Sequence, residues 1–147
     1  MAGKLELTPE QKRIMYNILF AEVGGGDSAE AQAVTSTFLN AAATKGFDKA
    51  VRMSSAYNNK SPQYQIADSG AFVKNPYEHR AYVRNAAIVD GLVNDPSRIA
   101  PYTNFENVQA FGEPSWAKGQ TNFKDIGRQR FYVIPQNPRI KAVKGAK

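Results

Sequence analysis

Three helix-start signals constrain the fold of this chain more than any other feature of its sequence. Thr8-Pro9-Glu10-Gln11 places a hydroxyl at an N-cap, proline at the first helical position and glutamine three residues after the cap. Asp27-Ser28-Ala29-Glu30 is a second capping box, and Asn75-Pro76 repeats the cap-plus-proline pattern. Apolar residues at helical spacing follow each signal. The sequence therefore predicts three main helices in a chain of 147 residues, which is long enough for one compact domain with a hydrophobic core.

The first predicted helix carries the residue that is most informative about function. Ile14, Ile18 and Glu22 follow one another at spacings of four, so Glu22 lies on or next to the buried stripe, just before the glycines 24–26 that end the helix. Burial and the negative end of the helix dipole both disfavour a charged carboxylate and raise its pKa. A glutamate that stays protonated near neutral pH can protonate a glycosidic oxygen. The alternative is a glutamate that points to solvent at a frayed helix end.

The rest of the chain predicts a mainly α (α+β) domain. The second helix closes near Gly46, a short helix follows around residues 47–53, and the third main helix ends at Asp95-Pro96. Residues 54–75 have no sustained period and predict an irregular segment with at most short strands, whereas 131–134 predict a strand. We expect a domain over residues 1–136 and a basic tail over 137–147.

Composition excludes several classes of function. The chain has no Cys and one His, which excludes disulfides and thiolate nucleophiles and argues against a His-based zinc site, so we expect no metal and no cofactor. No apolar run is long enough for a membrane span, and the polar N-terminus lacks the hydrophobic stretch of a signal peptide. The sequence thus predicts no membrane span and no export by itself.

Positive charge is concentrated at the C-terminal end. Of the 19 Lys and Arg residues, eight lie from Lys118 onward, where Asp125 is the single acidic residue. Such an end attracts any polyanion: a nucleic acid, an anionic wall polymer, a membrane surface or an acidic protein. No nucleic-acid-binding motif accompanies the charge, so binding to nucleic acid is the weakest of these interpretations.

Aromatic and amide side chains alternate in two segments, 54–59 and 102–132. Proteins bind sugars with such sets, because aromatic rings stack on apolar sugar faces while amides bond to hydroxyl groups. From these segments we select Tyr57, Asn104, Gln129 and Tyr132 as the expected sugar-binding residues. The competing interpretation is that the aromatic residues form ordinary core.

An ordered set of short motifs over roughly residues 14–134 resembles the SleB/CwlJ-type cell wall hydrolase family. The set consists of Ala21-Glu22 before the glycines, Phe38-Leu39-Asn40, Asp95-Pro96, Thr103-Asn104-Phe105-x-Asn107, Pro114-x-Trp116-Ala117 and Ile126-Gly127-x-x-x-Phe131-Tyr132. The sequence departs from the family pattern at three places. A second Glu after the glycines is replaced by Gly26 or Asp27, and two His positions are Asn104 and Gln129.

The resemblance implies a lysozyme-like single domain with a catalytic helix and a cleft. It implies cleavage of the MurNAc–GlcNAc glycan strand of peptidoglycan, usually by a lytic transglycosylase whose catalytic glutamate falls on Glu22. Small size, the missing export signal and the basic tail resemble phage-encoded members. By this analogy we expect a protein that is made in the host cytoplasm or carried in a virion, with a tail that contacts the wall or other virion proteins.

The reaction type follows from the number of carboxylates. A two-carboxylate glycosidase needs a partner about 5–9.5 Å from the acid, and Asp27, Asp68 and Glu106 are the candidates, none in a compelling sequence context. In a lytic transglycosylase the 6-hydroxyl of the substrate replaces the second carboxylate, so the sequence favours that reaction. The alternative function is an inactive structural or adaptor protein of a virion that keeps the fold.

Overall fold

The computed structural model describes residues 6–71 and 75–135, which form a mainly helical α+β arrangement. This confirms the predicted fold class at that level. The α-helices are α1 (Pro9–Val23), α2 (Ser28–Lys45), α3 (Phe47–Arg52), α4 (Ser55–Asn58), α5 (Pro62–Ser69), α6 (Pro76–Asn94) and α7 (Val108–Phe111). The strands are β1 (Asn104–Glu106), β2 (Phe123–Ile126) and β3 (Gln129–Tyr132), and 3₁₀ turns cover Pro96–Arg98 and Ser115–Ala117.

The three main helices begin at the predicted caps. The Thr8 hydroxyl accepts a hydrogen bond from the Gln11 amide at 3.1 Å, and the Gln11 side chain accepts one from the Thr8 amide at 2.9 Å, as a capping box requires. Asp27 caps α2 by accepting from the Ala29 amide at 2.7 Å, and Asn75 caps α6 in the same way. Glu30 does not return to the cap of α2, because its side chain is buried.

The prediction of an irregular segment over residues 54–75 is wrong in its described part, which forms α4 and α5. The Ser54 hydroxyl accepts from the Tyr57 amide at 3.3 Å, and the Ser61 hydroxyl accepts from the Tyr64 amide at 3.2 Å. Pro62 occupies the first turn of α5. The sequence contains both caps, but each helix is too short to produce the apolar periodicity on which the prediction relied.

The main core lies where α1, α2 and α6 meet the sheet. Phe131 of β3 is fully buried in this core, with the rings of Tyr102 and Phe105 at centroid distances of 5.3 and 5.5 Å. Leu19 of α1 and Val89 of α6 pack in the same cluster. One aromatic residue thus attaches the sheet to the helices, so the position of β3 is fixed relative to α1.

The sheet is antiparallel with the order β1-β3-β2. In its register Asn104 pairs with Tyr132, Phe105 with Phe131, and Glu106 with Arg130. The strand predicted at residues 131–134 is present but lies two residues earlier, at Gln129–Tyr132. A two-residue turn joins β2 to β3, and its first residue is Gly127 with φ of 61°.

No helix within residues 6–71 and 75–135 is long and apolar enough to cross a membrane. The predicted tail, 137–147, and the domain boundary at residue 136 lie outside the described residues.

Candidate functional site

A cleft of about 360 Å³ lies between part of the helices and part of the sheet. One wall is formed by the C-terminal half of α1, the middle of α2 and the residues that join α3 to α4. The other wall is formed by β1, the segment that follows it and the start of β3. Both walls carry polar and aromatic side chains, as expected for a site that binds a sugar or a peptide.

Glu22 lies in this cleft, one residue before the end of α1. Its side chain is half-buried, and the Ser54 hydroxyl donates a long hydrogen bond of 3.4 Å to Glu22 Oε2. Burial raises the pKa of Glu22, the nearby charge of Glu106 raises it further, and the bond from Ser54 lowers it. The environment of Glu22 therefore favours the protonated acid, which is the form that donates a proton.

The glycine turn after Glu22 is held from α6. Asn85 Nδ2 donates to the Gly24 carbonyl at 3.0 Å, and Arg84 Nη1 donates to the Gly26 carbonyl at 2.6 Å. Asn85 is fully buried, so this anchor is part of the interior. These bonds stabilise the backbone that directly follows α1 and Glu22.

The opposite wall is held from α2. Asn40 Nδ2 donates to the carbonyls of Ala100 and Tyr102 at 2.7 and 2.9 Å, and the Ser36 hydroxyl accepts from the Ala100 amide at 3.0 Å. These bonds fix the backbone that leads directly into β1. Glu106 at the end of β1 therefore has a defined place across the cleft from α1.

Glu106 is the second carboxylate of the cleft. It is half-buried, and its side chain forms no hydrogen bond or ion pair with a described residue. Arg130, its partner in the β1–β3 register, binds Asp125 with Nε–Oδ1 and Nη2–Oδ2 distances of 2.7 and 3.1 Å. The cleft thus contains two carboxyl groups from different elements.

Two of the four predicted sugar-binding residues line the cleft. Asn104 of β1 and Gln129 of β3 are half-buried, and their side-chain amides form no hydrogen bond to other described residues. Such amides can still donate and accept hydrogen bonds to a ligand.

The other two predicted sugar-binding residues do not line the cleft. Tyr132 is fully buried, and Trp116 covers it in an edge-to-face contact with a centroid distance of 5.2 Å. Tyr57 packs edge-to-face against Tyr64 at 5.6 Å, with the Lys60 ammonium 4.2 Å from its centroid. Both tyrosines therefore have packing roles, and neither is placed to contact a sugar in the cleft.

Apolar residues that we did not select line the cleft instead. Phe111 is 78% exposed, Met53 50% and Trp116 42%, and all three belong to the cleft. An exposed aromatic ring in a cleft is a platform on which a sugar face can stack. Trp116 belongs to the aromatic segment that the sequence singled out, but the sequence does not tell which ring of that segment stays accessible.

The remaining candidate carboxylates have other partners. Asp68 forms an ion pair with Arg13 at 2.6 Å and accepts from Asn17 Nδ2 at 3.1 Å. Asp27 caps α2, and neither aspartate lines the cleft. His79 lies on the exposed surface of α6, away from the cleft lining. Of the three carboxylates considered as partners of Glu22, the structure brings only Glu106 to it.

Within the described part of the chain, no group of three or more His, Asp or Glu side chains could hold a metal ion. Comparisons with known proteins assign no family to this chain: no family model matches it, and neither the curated proteins nor the solved structures gave a match. Its function must therefore be inferred from the residues of the cleft.

Proposed function

We propose that this protein cleaves the glycan strand of peptidoglycan as a lytic transglycosylase, with Glu22 as its catalytic acid. The observation that carries the proposal is a half-buried carboxyl group with a raised pKa inside a cleft of about 360 Å³. A cleft of this volume falls in the usual range for ligand sites, about 300–1,000 Å³. The lysozyme-like fold belongs to the same proposal, since it rests on the same motif resemblance.

Glu22 first donates a proton as an acid and later accepts one as a base. Its carboxylic acid donates a proton to the oxygen that links MurNAc to the next GlcNAc, and the bond from that oxygen to the MurNAc C1 breaks. The 6-hydroxyl of the same MurNAc then bonds to C1 and returns its proton to the Glu22 carboxylate. The products are a 1,6-anhydro-MurNAc end and a free GlcNAc 4-hydroxyl, and Glu22 is restored as the acid.

The wall opposite Glu22 supplies the candidate sugar contacts. The Asn104 and Gln129 amides can bond to hydroxyl and acetamido groups, which both donate and accept. Trp116 and Phe111 offer rings for the apolar faces of the saccharide. This combination favours a neutral, hydroxyl-rich polymer over a phosphate-rich one, because no Lys or Arg belongs to the cleft lining of the described chain.

The test is Glu22→Gln, assayed by the loss of turbidity of purified peptidoglycan and by mass spectrometry of the products. Removal of the general acid is expected to lower the cleavage rate by about 10²–10⁴-fold, because the amide cannot donate an acidic proton. The wild-type protein should release 1,6-anhydro-muramyl products.

The matched control is Glu113→Gln, which makes the same chemical change at an exposed residue outside the cleft. It should cleave at the wild-type rate. A Glu22→Gln variant as active as this control would remove Glu22 from the mechanism. Wild-type protein that leaves peptidoglycan uncut would instead support the alternative, an inactive virion structural or adaptor protein.

A further inference from the structure

We propose that Glu106 acts on the reacting sugar as a fixed negative charge, and that it stabilises the positive charge that develops at the sugar ring when the glycosidic bond breaks. This inference rests on the proposed function, because it assigns a role within the same cleft. It adds a residue to a reaction that needs only Glu22 as proton donor and acceptor.

The first step of the argument is the placement of the two carboxyl groups. Glu22 comes from the end of α1 and Glu106 from the end of β1, and both line the same cleft. The walls that carry them are anchored separately, by Asn85 to the glycine turn and by Asn40 to the backbone before β1. A sugar bound between these walls would have the proton donor on one side and the second carboxylate on the other.

The second step is that no described cation is paired with Glu106. A carboxylate opposite an arginine in a sheet commonly forms a cross-strand ion pair. Here the guanidinium of Arg130 is engaged by both Asp125 oxygens and lies over the Phe123 ring, 4.1 Å from its centroid. Glu106 therefore has no neutralising partner among the described residues.

The third step is the electrostatics of the cleft. Of the charged side chains on the described elements, Glu106 on β1 is the one whose charge acts on Glu22, and Ser54 beside α4 supplies the hydrogen bond. The like charge of Glu106 disfavours an ionised Glu22 and so keeps the proton available. The same charge attracts the oxocarbenium-like transition state of glycoside cleavage.

Glu106 neither gains nor loses a proton in this scheme. One proton leaves Glu22 for the glycosidic oxygen, and one returns to Glu22 from the 6-hydroxyl. Removing its charge should therefore affect the rate and the pH dependence of cleavage, with little effect on saccharide binding.

The experiment compares Glu106→Gln, Glu106→Asp and Glu113→Gln with the wild type on soluble peptidoglycan glycan fragments. For Glu106→Gln we expect kcat to fall about tenfold, equivalent to about 1.4 kcal/mol of activation free energy, with KM nearly unchanged. The alkaline limb of the pH–rate profile should move to lower pH, because Glu22 ionises more easily without the like charge. Glu106→Asp should keep most of the rate and the wild-type limb, and Glu113→Gln should match the wild type.

Thermal midpoints of all variants show whether a lost rate reflects unfolding, and Glu106→Asp serves as the charge-retaining test if Glu106→Gln is unstable. A Glu106→Gln variant with wild-type kcat and an unmoved limb, beside an inactive Glu22→Gln, overturns this inference and leaves the proposed function intact. Wild-type products with reducing-end MurNAc that disappear in Glu106→Gln would mean that Glu106 activates water, which also overturns the fixed-charge role. A wild-type protein without cleavage overturns both proposals.

Discussion

At the scale of single residues, the cleft places Glu22 where an ionised carboxylate is disfavoured. Burial and the charge of Glu106 raise its pKa, and the long hydrogen bond from Ser54 offsets them only in part. Because the site disfavours the charged form, ionisation of Glu22 destabilises the folded protein. The stability of the protein should therefore depend on the protonation state of this one residue.

Glu22→Gln should leave the thermal midpoint equal to that of the wild type or raise it. The difference between the two thermal midpoints should increase with pH. In the folded protein the pKa of Glu22 lies above its ordinary value of 4.5, so its contribution to stability is fully present below that value. The contribution is lost as pH rises through the raised pKa, whereas glutamine does not titrate. Thermal unfolding of both proteins across this pH range measures the gap, with Glu113→Gln as control. A gap that narrows with rising pH would contradict the raised pKa.

The position of Glu22 could be predicted because helix periodicity and the glycine stop are local signals. The accessible aromatic residues could not, because accessibility depends on pairing between strands. Tyr132, one of the two tyrosines selected from the sequence, pairs with Asn104 and Phe123 in the sheet, is covered by Trp116 and is fully buried. Phe131 and Tyr132 face opposite sides of the sheet and are both fully buried, so alternation along the strand does not tell which ring stays accessible.

At the scale of elements, the β2–β3 hairpin depends on one glycine. Gly127 has φ of 61°, and Lys60 is the one non-glycine residue of the described chain with positive φ, so Arg128 has negative φ. A glycine with positive φ at the first of two turn residues is typical of a type II′ turn. A Cβ atom on Gly127 would also overlap Oε1 of the buried Glu30. The turn is thus specified by both the backbone and its close approach to α2.

Gly127→Ala should destabilise the protein by about 1–3 kcal/mol from backbone strain alone, with a further cost from the overlap with Glu30. Gly119→Ala is the matched control, because Gly119 has φ of 82° but no atom within 4 Å of the added Cβ. Urea unfolding of the two variants separates strain from overlap. In a double-mutant cycle with Glu30→Ala the two costs should be less than additive, and full additivity would argue against the contact.

Helix starts were predictable and the sheet was largely not, for a physical reason. The caps at Thr8, Asp27 and Asn75 act within four residues, so the sequence contains the whole interaction. The pairing of β1 with β3 joins residues that lie far apart along the chain, and strands of three or four residues carry almost no periodic signal. Glu22 and Glu106 lie even farther apart along the chain, which is why neither segment alone predicts their shared cleft.

At the scale of the whole molecule, charge is distributed unevenly between the domain and its C-terminal end. Arg139, Lys141, Lys144 and Lys147 carry four positive charges in residues 137–147, and no acidic residue lies among them. In the described chain, the residues that line the cleft all lie between Ile18 and Gln129. Binding to an anionic wall or to an acidic partner and cleavage of the glycan should therefore be separable.

Deletion of residues 137–147 should leave the thermal midpoint and the cleavage of small soluble glycan fragments unchanged. It should weaken binding to intact anionic walls strongly at low salt and little at high salt, because the Debye length falls from about 30 Å at 0.01 M to about 3 Å at 1 M. Sedimentation with purified walls at several salt concentrations measures this contrast. A full-length variant with the four basic residues replaced by Gln is the matched control, and it should behave as the deletion does. The opposing result is a deletion that weakens binding equally at every salt concentration, beside a Gln variant that binds as the wild type does. That result would show that the tail makes a contact that depends on its shape and not on its charge.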